Sequence, residues 1–140
     1  MPKTLLALER RLNEALTIYL PRAMRRRKWE VAIDWHLDPY YGQPYRSRNE
    51  IYHSQSKQGT TKFHAYATAC IVEYGRRYTL ALKWVRRREP MIRVLTRLLT
   101  RIRTIGLKIR CLVIDRAFFN VPVMAFLQQE DLPLPEPVVQ

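Results

Sequence analysis

Two aspartates in this chain sit in the same kind of place. Val31-Ala32-Ile33-Asp34 ends one apolar run, and Leu112-Val113-Ile114-Asp115 ends another. An ionised carboxylate beside a buried, β-branched run is costly unless a cation or hydrogen-bond donors meet it. Each could cap a turn or pair with a neighbouring base, such as Arg110 or Arg116. Both could instead serve one shared cation. Two like charges a few ångströms apart repel, and a low dielectric strengthens the conflict. A divalent ion between them removes it. Hard oxygen donors without nitrogen or sulfur point to Mg²⁺ or Mn²⁺. Paired ions of that kind stabilise the attacking and leaving oxygens of phosphoryl transfer.

The charge balance points to a polyanion. Lys and Arg number 25 against 12 Asp and Glu, for a net charge of +13 and a pI near 10.3. Arginine dominates lysine, and its planar fork suits phosphate and base stacking, so nucleic acid comes before an anionic membrane surface. No apolar run is long enough for a membrane-spanning helix, and Glu9, Arg10 and Arg11 interrupt any signal-peptide layout. A cytoplasmic, nucleoid-associated protein is expected. Cys70 and Cys111 lie in apolar runs without zinc-like spacing and read as buried free thiols.

The elements that must position Asp34 and Asp115 follow from periodicity. Leu5, Leu8, Leu12, Ala15, Leu16 and Tyr19 recur every three or four residues, as in an amphipathic helix, which Pro21 closes. Arg25-Arg26-Arg27-Lys28 then forms a basic hinge, whose plainest reading is a solvated turn. Residues 1–28 are taken as this helix and hinge, and 29–140 as the main domain. Trp29 to Leu37 reads as a strand, Lys62 to Val72 as a second and Tyr78 to Val85 as a third, with Glu73-Tyr74-Gly75-Arg76-Arg77 as the hairpin turn. A polar stretch from Tyr45 to Thr61 between the first two strands reads as a long functional loop. A helix begins at Pro90, carries the stripe Met91, Val94, Leu95, Leu98, Leu99, Ile102 and Ile105, and stops at Gly106. Leu107 to Ile114 is a fourth strand, Val121 to Glu130 a short helix, and the Pro-rich segment after Leu132 is extended. A helical crossover should lay strand four beside strand one, parallel to it. Asp34 and Asp115 would then become neighbours.

With those residues in place, a family resemblance can be stated. Ala32-Ile33-Asp34-Trp35-His36-Leu37-Asp38-Pro39-Tyr40-Tyr41-Gly42 and Leu112-Val113-Ile114-Asp115-Arg116-Ala117-Phe118-Phe119 resemble the two aspartate motifs of DDE transposases of bacterial insertion sequences. Gly59-Thr60-Thr61-Lys62-Phe63-His64-Ala65-Tyr66-Ala67-Thr68 looks like that family's second strand. The resemblance covers most of the chain from Trp29 onward. It implies an α/β, ribonuclease-H-like fold, here incomplete, with a mixed sheet of order β-β-β-α-β-α preceded by an N-terminal helix. It also implies DNA as partner, and Asp34 and Asp115 as two of three ligands to Mg²⁺ or Mn²⁺ in DNA cleavage and strand transfer. The family's third acid is a Glu on a helix after a fifth strand. Glu130, Asp131 and Glu136 are the only acids after Asp115 and are poor substitutes. The chain therefore reads as truncated, with little or no strand transfer expected from it alone. A second polypeptide supplying the strand and Glu, or a homo-oligomer, would be its partner.

Other residues carry weaker signals. Arg46, Arg48 and Lys57, interleaved with Tyr45 and Tyr52, are candidates for DNA contact, and Arg116 for the scissile phosphate or a salt bridge. His36 and Asp38 share a strand face with Asp34, and His64 reads as a histidine at the core's edge. Arg93, Arg97 and Arg101 read as a solvated helix face. The alternative is a non-catalytic basic DNA- or RNA-binding protein with structural aspartates.

Overall fold

In a computed structural model, residues 5–41 and 51–130 are described. They form a mixed α/β fold: α1 (Leu5–Thr17), β1 (Lys28–Pro39), β2 (Tyr52–Lys57), β3 (Thr60–Glu73), β4 (Arg76–Val85), α2 (Met91–Thr104), β5 (Lys108–Ile114) and α3 (Val121–Gln129). One sheet joins all five strands. β3 pairs antiparallel with β1 along one edge, and with β2 and then β4 along the other. β1 pairs with β5 in parallel, with Ile33 opposite Ile114.

Alternation along β1 and β3 divides the sheet into two faces. Val31 and Ile33 of β1, with Ala65, Ala67, Ala69 and Ile71 of β3, point into the core. There they meet Val94, Leu95, Leu98, Leu99 and Ile102 of α2, all fully buried. Each of those aliphatic side chains contributes about 2 kcal/mol by leaving water. The alanines of β3 let α2 lie close to the sheet. α2 ends at Gly106, whose φ of +83° favours glycine. The Arg25 side chain lies over that glycine, and its Nε donates to the Ile105 carbonyl at 2.8 Å.

The structure corrects several expectations. The segment read as a loop from Tyr45 to Thr61 contains a strand, β2, which joins β3 through a two-residue turn at Gln58-Gly59. The element order is therefore α-β-β-β-β-α-β-α, with one strand more than expected. The basic hinge is not a free turn. Arg25 covers the end of α2, while Arg27 pairs with Glu73 at 2.6 Å and lies 3.7 Å over the Trp29 ring. Cys70 is buried and Cys111 half-buried, both as free thiols.

α1 holds the largest surprise. Its leucine stripe does not face the core: Leu8 and Leu12 remain 43% and 42% exposed, and Tyr19 beyond the helix is exposed too. The helix docks through its polar side along the outer edge of β4. Asn13 Nδ2 donates to the Leu82 carbonyl at 2.9 Å, and Asn13 Oδ1 accepts from the Leu82 N–H at 2.6 Å. Glu9 Oε1 accepts from the Trp84 N–H at 2.8 Å. An unpaired strand edge invites pairing with another chain, and these side chains satisfy it. Arg101 of α2 donates to Thr17 Oγ1 and to the Asn13 carbonyl, so it ties α1 down rather than standing on a solvated face. Among the described residues no helix is long and apolar enough to cross a membrane.

Candidate functional site

The face of the sheet opposite α2 carries the polar residues. From β1 it takes Asp34, His36 and Asp38, and from β3 Thr68, Tyr66 and His64, directly across in the register. Asp115 follows the last residue of β5. Its N–H donates to the Ile33 carbonyl at 3.0 Å, which continues the parallel ladder by one bond. Asp34 and Asp115 thus stand on adjacent strands at neighbouring positions, where backbones lie ~4.8 Å apart.

Each carboxylate has a local partner. Asp34 accepts from the guanidinium of Arg77, which reaches across from β4. The Arg77 side chain is 56% exposed, so the pair is worth about 1 kcal/mol or less. Asp115 Oδ1 accepts from the Ala117 N–H at 3.0 Å and caps the helical turn Arg116–Phe118. Phe118, fully buried, pins that turn, with its ring edge-on to Trp35 at 6.0 Å. Asp115 therefore sits at a fixed strand end, between a ladder bond and a capped turn.

The neighbours of Asp34 form a continuous row. His36 Nε2 lies 3.2 Å from Thr68 Oγ1, and its ring stacks on Tyr66 at 5.0 Å. Tyr66 is bonded to Asp38. Partial burial, then that hydrogen bond and the Asp38 charge, hold its phenol above the ordinary value near 10.0. His64 meets the Tyr40 ring edge-on at 5.2 Å. The row is ordered by stacking and hydrogen bonds and exposes oxygen and nitrogen donors to one side.

The remaining sequence candidates divide. Arg116 is exposed immediately after Asp115, in the same turn. Lys57 is exposed at the β2–β3 turn, opposite Thr60. Thr68, which faces Asp34, lies eight positions further along β3, roughly 26 Å at strand rise. Lys57 is therefore not part of the same site. Arg46 and Arg48 lie outside the described residues, as do Asp131, Glu136 and the Pro-rich segment. Arg93 is exposed on α2. Among the described residues no group of three His, Cys, Asp or Glu converges as a metal cage would. Two adjacent carboxylates supply hard oxygen donors that suit Mg²⁺ or Mn²⁺, but only as part of a larger set.

Sequence reasoning passed over Arg77, which it read only as part of a turn. The signal was the run Arg76-Arg77 opening a strand that would lie two strands from Asp34. It also passed over the aromatic residues beside that turn, Tyr74 and Tyr78.

No family model matches the chain, and no curated protein or solved structure was found to match it.

Proposed function

We propose that this chain is a DNA-directed protein of ribonuclease-H-like, insertion-sequence-transposase type, with Asp34 and Asp115 as two of the ligands for a catalytic divalent metal. The observation that carries the reading is the placement of those two residues side by side on the parallel strand pair, Asp34 in the middle of β1 and Asp115 just past the end of β5. Supporting it is the path β4-β3-β1-β5 through the five-stranded sheet, antiparallel up to β1 and then parallel to β5 after the α2 crossover, with β2 as an additional strand beside β3. The net charge of +13 favours a polyanionic partner. Arg77 holds Asp34 weakly enough for a divalent ion to compete. A bound metal would polarise a phosphoryl oxygen and activate a nucleophilic oxygen. Completing the site takes a further acid, which the described residues do not bring to Asp34 and Asp115.

A second reading is a non-catalytic, basic nucleic-acid-binding protein. The observation favouring it is that Arg77 and the Ala117 N–H already answer both carboxylates.

Thermal unfolding in Mn²⁺ or Mg²⁺ separates the two. If the acids form a site, the midpoint rises with metal in the parent chain. At a hundredfold excess over the dissociation constant the gain is about 2.7 kcal/mol. It vanishes in the Asp34→Asn, Asp115→Asn double variant. No metal effect in either protein leaves the second reading. A chain that fails to bind duplex DNA at low salt sinks both.

A further inference from the structure

The β3–β4 hairpin breaks a local rule. Glu73 pairs with Arg76, so Tyr74 and Gly75 alone make the turn, with φ of 50° and 74°. Two positive φ values define the hairpin turn that Asn-Gly fits best, and a tyrosine at its first position is strained. Nothing in packing compensates, because Tyr74 is 95% exposed. An aromatic ring is held out into solvent at a local energetic cost, and such strain gathers at binding sites.

The surroundings give that ring a use. A cleft of about 740 Å³ opens beside the hairpin, lined by Tyr74, Tyr78, Arg76, Arg77 and the edge of Trp29. That volume falls within the ~300–1,000 Å³ typical of small-ligand sites. Tyr78 presents a second aromatic surface, 45% exposed. Glu73, the acid at the cleft, is already paired with Arg27, so the local field stays positive. Arg77 extends from this cleft to Asp34 on the other side of the sheet.

We infer that the hairpin cleft is a binding site for an unpaired DNA strand, with a base stacked on Tyr74 and flanking phosphates held by Arg76. Exposed aromatic rings among arginines match the two things every nucleotide offers, a π-face and a negative charge. The aliphatic part of the lining is limited to Met24 and Ile71, beside two arginines and three aromatic rings, which suits a nucleotide better than an apolar peptide. The inference rests on the DNA-directed reading above and adds to it: the strand would be led, through Arg77, toward the acid pair.

The test uses the full chain, a fluorescent twelve-nucleotide oligothymidylate, the matching RNA and a duplex of equal length. Tyr74→Asn supplies the residue the turn prefers, so the thermal midpoint should rise by a few degrees. Its affinity for the single strand should fall at least about fivefold, the loss of one stacked base. Duplex affinity should change by less than about twofold. Stability and binding moving in opposite directions cannot come from misfolding. Arg76→Gln should lower the salt slope of single-strand binding by about 0.7, one phosphate contact. Single-strand affinity unchanged in Tyr74→Asn overturns the inference, as does a parent chain that binds duplex but not single strands. Tighter binding of the RNA by more than tenfold overturns the assignment to DNA. A parent that binds none of the three nucleic acids overturns the functional reading itself, a result distinct from the others.

Discussion

Asn13→Ala tests how α1 is held. The Asn13 amide exchanges two hydrogen bonds with Leu82, one at 2.6 Å and one at 2.9 Å. Each such bond contributes about 1 kcal/mol net. The alanine also leaves the Leu82 N–H and C=O facing the underside of a helix, where water reaches them poorly, and an unsatisfied group there adds to the cost. Glu9 still holds the Trp84 N–H, and Arg101 still donates to Thr17 and to the Asn13 carbonyl, so the helix is loosened rather than lost. The expected destabilisation is about 2–3 kcal/mol. For a chain of this size that is a fall in Tm of roughly 6–12 °C. Two assays read it: thermal unfolding, and amide hydrogen exchange at Leu82. Leu82 should lose protection more than Ala81 or Val85, whose strand is otherwise intact. A Tm within about 1 °C of the parent, with Leu82 still protected, would mean that α1 does not seal this edge and the reasoning is wrong.

Other outcomes follow from the same structure. Gly106→Ala forces a side chain into left-handed backbone and against Arg25, 3.1 Å from the added carbon, so stability should fall by about 1–2 kcal/mol in urea unfolding. Lys83 is almost fully buried, 3.7 Å from Glu9 and 3.8 Å from Glu89. Lys83→Met strands two carboxylates and should cost about 3–5 kcal/mol, with partial recovery when Glu9→Gln is added. Burial, opposed by Lys83 and the Trp84 N–H, holds the Glu9 carboxyl above its ordinary value of 4.5. Its folded form therefore binds the proton more tightly than the unfolded chain does. That stabilisation is fully present below pH 4.5 and is lost as pH rises through the raised value. Glu9→Gln should flatten this part of the stability profile above pH 4.5, and a slope equal to the parent's would refute the assignment. Leu98→Ala, at the centre of the α2 contact, should cost about 3–4 kcal/mol.

Much of the scaffold could be read from periodicity. β3 alternates so cleanly, with Phe63, Ala65, Ala67, Ala69 and Ile71 inward, that its face assignment needed no structure. The adjacency of Asp34 and Asp115 was legible because a helical crossover between two apolar runs leaves few arrangements. β2 was not, because Tyr52-His53-Ser54-Gln55-Ser56-Lys57 has no aliphatic residue to alternate, and its side chains are mostly exposed. It is a strand because β3 offers it a ladder, not because it buries a face. α1 was read as amphipathic correctly, yet periodicity cannot say which side docks. The polar side won because β4 had bare amides and carbonyls to satisfy. Arg77 escaped notice because its partner lies across β3, in a strand pair no local pattern reports.

The parallel pairing of β1 with β5 has a kinetic consequence. β3 meets β4 through a two-residue turn and can zip early, whereas β5 reaches β1 only after α2 has been laid down between them. Long-range closures of this type come late in folding, since their loop entropy must be overcome before any contact rewards it. Asp34 and Asp115 become neighbours only once β5 has closed on β1, a pairing that topology favours late. A chain emerging unfinished would carry its charge and its hairpin but no acid pair. Any chemistry that needs both carboxylates is withheld until the sheet is closed.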